Sequence, residues 1–224
     1  MGQTYPDIEY IVIDGNSTDG TVEVVQSYGD RISKFISEKD KGLYDALNKG
    51  VGLATGNVIG LLHSDDIFFS PESIEKVAAA FKEWNTDSVY ADLQYVQKAD
   101  TNKVVRNWVS GKYSRNGFLY GWMPPHPTFY VKREVYNRLG LYNTTFKSAA
   151  DYELMLRYLY KYKISTTYIP EYLIRMRVGG KSNATLQNRL KANQEDYRAW
   201  ILNDLNPRFY TRFLKPLRKM IQFI

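Results

Sequence analysis

Apolar positions along this chain change their spacing in a regular way. Residues 8–13 hold Ile8, Tyr10, Ile11, Val12 and Ile13, a compact β-branched and aromatic run that predicts a strand. A loop of small residues and side-chain acceptors follows, Asp14-Gly15-Asn16-Ser17-Thr18-Asp19-Gly20-Thr21. Asp19 is placed to cap a helix running through Val22, Val25 and Tyr28, and residues 34–37 read as a short strand. From Leu43 the apolar residues Ala46, Leu47, Val51 and Ala54 recur at helical spacing, and Thr55-Gly56 closes that helix. Residues 58–62 are a short apolar run, read as a buried strand, ending in His63-Ser64-Asp65-Asp66. Pro71 opens a helix through Ile74, Val77, Ala78 and Phe81, and residues 88–91 form the next strand. Strands and helices alternate throughout, which predicts an α/β fold with a mostly parallel sheet covered by helices.

After Asp92 the pattern changes. Residues 93–97 and 104–108 read as a hairpin, and residues 111–125 as an irregular aromatic loop. A strand at 128–131 and a short helix at 134–139, closed by Gly140, come next. Another helix begins at Ala149 with Leu154, Leu156 and Leu159 available for packing. Residues 166–169 and 172–176 look extended, and residues 186–202 predict a long polar-faced helix. In the last stretch Phe213, Leu217, Ile221 and Ile224 fall at helical spacing among Arg208, Arg212, Lys215, Arg218 and Lys219. Such a segment either docks its apolar face on the domain or lies in an anionic membrane interface. These features divide the chain into a main domain, 1–180, and a helical, basic, amphipathic C-terminal appendage, 181–224.

Composition narrows the chemistry. The 224 residues contain no Cys and only two His, which excludes disulfides, thiolate chemistry and a His-built zinc site. Net charge is +6, with the positive residues concentrated after Arg133. No nucleic-acid recognition module accompanies that charge, so nucleic acid is not expected as a partner. No apolar run approaches the ~18 residues of a membrane span, and the start shows no signal-peptide pattern.

The acidic pair Asp65–Asp66 is the feature with the most chemistry. Two carboxylates at the carboxyl end of a buried strand repel each other and lose hydration. A hard divalent cation relieves both penalties, and the carboxyl edge of an α/β sheet is where such folds bind ligands. The alternative is a simple turn or helix cap.

Four segments, in this order, resemble glycosyltransferase family 2, which has the GT-A fold. They are Ile11 through Thr21, Asn48-Lys49-Gly50, Ala54-Thr55-Gly56 followed by the strand to Ser64-Asp65-Asp66, and Ala150-Asp151-Tyr152-Glu153. The resemblance implies a nucleotide-sugar-dependent enzyme that moves a sugar to an acceptor hydroxyl with inversion, in cell-surface polysaccharide synthesis. It implies Asp14 at the nucleotide base and Asp65 and Asp66 at a Mg²⁺ or Mn²⁺ ion and the donor diphosphate, with Asp66 the direct ligand. It implies Asp151 as the general base. Lys41 and Asn48 join the donor site as polar residues of one helix face, or merely solvate it. Trp122 and His126, in the aromatic loop and just after it, are expected on the acceptor side, with packing as the alternative. His63 touches the metal site or is a structural imidazole. The expected partners are the nucleotide sugar, a saccharide or lipid-linked acceptor and an anionic membrane surface. The expected location is the cytoplasm or the inner face of the membrane.

The chain also departs from the family. Asp14-Gly15 stands where two adjacent Asp are commoner, and Leu47 where an Arg is common. Gln3-Thr4-Tyr5-Pro6 resembles the segment that follows the family's first strand and helix, so an N-terminally incomplete domain is expected. A sugar nucleotidyltransferase and a non-catalytic nucleotide- or partner-binding fragment are the competing readings. The Gly-rich, Arg-containing phosphate loop of the former is absent.

Overall fold

In the computed structural model, residues 1–179, 186–211 and 214–215 are described. The first half follows the predicted alternation: β1 (Ile11–Asp14), α1 (Thr21–Gln26), β2 (Lys34–Ser37), α2 (Leu43–Leu53), β3 (Val58–Ile59), β4 (Asp66–Phe68), α3 (Ser73–Trp84) and β5 (Ser88–Val96). The second half comprises β6 (Val104–Trp108), β7 (Tyr130–Lys132), α4 (Arg133–Leu139), α5 (Ala150–Met155), β8 (Thr166–Arg177) and α6 (Leu186–Leu202). A π-helical turn, Leu156–Lys161, extends α5.

The sheet is mixed, which refines the expected one. Parallel ladders join β1 to β2 and β5 to β8, whereas β3–β7, β5–β7, β4–β8 and β5–β6 are antiparallel. Parallel neighbours need a long crossover, but β7 is reached through a long irregular segment that can return in either direction. The β1–β2 pair is a separate two-stranded sheet, and the other six strands run in the order β3-β7-β5-β8-β4 with β6 against β5.

Two strands differ from the sequence expectation. The run after Gly56 is extended and paired only at Val58–Ile59, and Asp66 itself opens β4, paired with Met176. The two extended stretches after Ser165 are one strand. Its register against β5 slips between Ala91 and Asp92, leaving Pro170 and Glu171 outside the ladder, and again between Asp92 and Leu93. A proline has no N–H to donate, so a bulge is where a central strand can hold it.

The core lies on both faces of β5. Val89, Ala91 and Leu93 pack with Val77 and Ala80 of α3 and with Leu173 and Ile174 of β8. Tyr90 joins the larger cluster of Phe118, Trp122, Tyr136, Tyr152, Leu156 and Trp200. Helix α6 is tied to α5: Trp200 Nε1 donates to Tyr152 Oη at 2.8 Å, and Asn203 Nδ2 donates to Glu153 Oε1 at 2.9 Å. Buried Glu153 also takes Arg157 Nε at 2.9 Å, and that guanidinium reaches the carbonyls of Gly140 and Leu141 at 3.1 and 2.7 Å. Beyond α6, Thr211 Oγ1 donates to Leu119 O at 2.8 Å, and Lys215 pairs with Asp196 at 2.6 Å while lying 3.8 Å from the Tyr152 ring centroid. Of the amphipathic stretch, residues 212–213 and 216–224 lie outside the described residues.

Candidate active site

Asp14 ends β1 and is 7 % exposed. Its carboxylate accepts Ser17 Oγ at 2.5 Å, Ser17 N at 2.9 Å and Ser37 Oγ at 2.6 Å, which locks the turn after the strand. These donors, the Ser17 hydroxyl first, hold its carboxyl below the usual range. Gly15 lets the next loop close in, since a Cβ there would stand 2.8 Å from Asp40 Oδ2. Asp40 in turn receives Gly42 N at 2.8 Å, and Asp45 in the first turn of α2 receives Lys41 N at 3.0 Å. The Lys41 residue is exposed at that helix start, beside the Asp14 loop.

Across the fold, the chain turns tightly from His63 to Asp66, whose N–H donates to His63 O at 2.9 Å. Asp65 is exposed. Asp66 is 5 % exposed, and neither carboxylate oxygen has a hydrogen-bond partner among the described residues. Burial pushes its carboxyl up to about 7; the His63 backbone N–H and the charge of Arg177 pull it back, and the charge of Asp65 adds to the rise. Cross-strand pairing sets Asp66, Met176, Tyr95 and Arg106 in one row over four strands. Arg106 lies 3.9 Å from the Tyr95 ring centroid, and Tyr95 feels the charges of both Asp66 and Asp151.

Asp151 stands in the first turn of α5 and is partly exposed. Among the described residues its carboxylate caps no backbone N–H; it accepts Tyr44 Oη at 3.3 Å. Its charge is also felt by His63, so the strand-end loop and the start of α5 are neighbours.

Three residues expected at the site have other work. Trp122 is 5 % exposed, donates its indole N–H to Ser110 O at 2.8 Å and meets Tyr90 and Phe118 edge-on, so no face is open for a sugar. His126 is 8 % exposed, with Nε2 on Tyr142 Oη at 2.8 Å and its ring 5.7 Å from that of His63. Burial depresses it to about 4, Asp151 opposing, so it is a neutral imidazole. Asn48 donates Nδ2 to Tyr142 O and accepts Tyr142 N, both at 2.9 Å. Its amide is thus a clasp between α2 and the loop after α4, not a free donor contact. Sequence reasoning passed over Tyr44 and Tyr142. The signal present was Tyr44 and Asn48 at i, i+4 on one helix face, both polar-tipped within an apolar stripe.

The family described as Glycosyl transferase family 2 matches residues 1–149. The chain belongs to glycosyl transferase family 2. A PGL/p-HBAD biosynthesis glycosyltransferase of Mycobacterium bovis is 30% identical over 159 residues, which are 69% of this chain and 59% of that one. The Escherichia coli chondroitin synthase is 29% identical over 161 residues, 70% of this chain and 23% of the synthase. The chain therefore spans under two thirds of these relatives. Among solved structures, S. aureus TarS 1-349 with UDP-GlcNAc superposes with a TM-score of 0.69 at 18% identity, covering 90% of this chain and 58% of that one. The mannosyltransferase PcManGT of Pyrobaculum calidifontis, in complex with GDP-Man and Mn2+, gives 0.62 at 17% identity, covering 99% and 62%. The family 2 chain thus has the GT-A fold, with a helical C-terminal part. Its candidate base, Asp151, lies just beyond the span the family matches.

Proposed function

We propose that this family 2 chain transfers a sugar from a nucleotide-sugar donor to an acceptor hydroxyl with inversion, using Mg²⁺ or Mn²⁺. The observation that carries the reading is the buried, partnerless carboxylate of Asp66 beside the Asp65 charge. Among the described residues no three His, Asp or Glu side chains converge. In this proposal the cation is held by one or two carboxylates, with donor phosphates completing its shell. Asp66, with Asp65 beside it, would hold the cation, which when bound offsets the charge that grows on the leaving diphosphate. Asp14 and Lys41 flank the nucleotide end. Asp151 takes the acceptor hydroxyl proton as the new C–O bond forms and the old one breaks, its electron pair leaving with the diphosphate.

Supporting this reading, PcManGT was solved in complex with GDP-Man and Mn2+, and TarS in complex with UDP-GlcNAc. The name of the Escherichia coli chondroitin synthase favours polysaccharide synthesis, which we extend to the cell surface. Residues 1–180 carry the chemistry in this proposal, and 181–224 meet the membrane. Among the described residues no helix is long and apolar enough to cross a bilayer. Phe209 is nevertheless 87 % exposed, beside a Tyr210 ring stacked on Tyr120, in a stretch with no acidic residue after Asp204. An enzyme held by such a segment on the inner face of the membrane could meet a lipid-linked acceptor there.

Release of UDP from UDP-GlcNAc or GDP from GDP-mannose, with and without Mn²⁺, tests the activity. Asp66→Ala should abolish metal-dependent release and leave the fold intact. Full release from that variant removes the metal assignment. Nucleotide binding without turnover in the unmodified chain would favour the non-catalytic reading.

A further inference from the structure

Tyr44 belongs to the helix that starts at the nucleotide end, yet its hydroxyl crosses to the other side of the site and meets Asp151 Oδ1 at 3.3 Å. Its ring is held in two ways. The ring is buried in the large core cluster. It stacks on Tyr142, centroids 6.0 Å apart and planes at 16°. Tyr142 is itself fixed, by the two-way Asn48 clasp on its backbone and by His126 on its hydroxyl. A hydroxyl on so constrained a ring has little freedom to follow a moving partner. Asp151 has the opposite character, since it is partly exposed and takes no backbone N–H. The buried, constrained partner therefore sets the orientation of the partly exposed one.

We infer that Tyr44 is a positioning residue, whose hydroxyl fixes one oxygen of the Asp151 carboxylate so that the other faces the acceptor hydroxyl. This rests on the reading of Asp151 as the base. Burial, with the Asp151 charge second, keeps the Tyr44 hydroxyl protonated far above neutral pH, so it stays a donor throughout the working range. The other titratable groups that face Asp151 are His63 before β4, His126, Tyr142 and Tyr95 of β5. None of them hydrogen-bonds its carboxylate.

The test uses Tyr44→Phe, which keeps the ring stacked on Tyr142, beside Asp151→Asn. With UDP-GlcNAc or GDP-mannose as the probe and Mn²⁺ present, Tyr44→Phe should lower kcat about tenfold, the size of one charged hydrogen bond, with donor KM unchanged. In the Asp151→Asn background the same change should add nothing. The crystal structure of Tyr44→Phe should show the Asp151 carboxylate over more than one rotamer. A carboxylate that keeps its single wild-type rotamer without the hydroxyl overturns the inference at any rate of turnover. So does an unchanged kcat in Tyr44→Phe while Asp151→Asn is inactive. If Asp151→Asn turns over donor normally, the base reading falls, and the rotamer comparison still decides whether Tyr44 orients the carboxylate.

Discussion

A carboxylate buried without a donor loses its hydration and gains no hydrogen bond, and Asp66 is in that position. Its carboxyl titrates near 7 when folded, against about 4 in an unfolded chain. Between those values the folded state holds a proton the unfolded state has lost, so the stability contributed by neutral Asp66 is full below pH 4 and is lost as pH rises through 7. Asp66→Asn should therefore raise the thermal midpoint at pH 8, by up to ~4 kcal/mol in stability, and change it little at pH 4. Mn²⁺ should stabilise the unmodified chain and not the variant. Calorimetry at the two pH values, with and without Mn²⁺, checks both statements. His126 behaves in the opposite sense. Its folded value near 4 lies below the ordinary His value, so its contribution is present above about 6.5 and lost as pH falls through 4. His126→Gln, which keeps a partner for Tyr142, should flatten the melting-temperature profile across that window.

At the scale of elements, the Asn48–Tyr142 clasp joins α2 to the loop after α4 with two hydrogen bonds to one backbone residue. Asn48→Ala should lower stability by ~1–3 kcal/mol, because it also leaves Tyr142's N–H and C=O unpaired. A denaturation midpoint at the unmodified chain's value would show that water replaces the amide. The elements themselves were largely legible. Leu186–Leu202 and Val104–Trp108 have the bounds that their patterns gave, and α2 ends one residue early. Their patterns are long enough to carry a period. The three-residue β4 was not legible, because two acidic residues at its mouth read as turn chemistry. Nor was the inward face of Trp122 or His126: an aromatic-rich loop has no period to show which rings turn inward. Asp65 and Asp66 were readable as candidates because acids at a strand end are visible in one dimension, whereas Asp14 and Asp151 were candidates through the resemblance to the family. Tyr44 gained its place only from a contact with Asp151, more than a hundred residues away.

At the scale of the whole molecule, the C-terminal segment is docked by specific contacts and still presents an aromatic side chain outward. Gly121 has φ of 76°, and a Cβ there would stand 2.5 Å from the backbone N of Lys215. Gly121→Ala should therefore loosen the segment as well as strain the turn, and it should increase proteolysis after Thr211 before the domain itself melts. Phe209→Ala should weaken binding to vesicles containing phosphatidylserine by roughly tenfold, since full burial of an aromatic side chain is worth ~1.5–3 kcal/mol. Equal sedimentation of both proteins, or no dependence on anionic lipid, would discard the membrane contact.

The register slips in β8 impose a parity on this fold. Residues paired across a sheet share a face, and each step along a strand changes it. The slip between Asp92 and Leu93 adds a single residue on β8, which inverts the phase between that strand and β5. Asp66 is tied to β8 at Met176, so only the inverted phase puts it level with Tyr95 and Arg106. A one-residue deletion in residues 171–174 would move the Asp66 carboxylate to the opposite face from Tyr95 and Arg106 while leaving every candidate site residue in the sequence. Length changes in this strand are thus constrained as in a reading frame: even-numbered ones alone keep Asp66 on the face of Tyr95 and Arg106, and none keeps it level with them.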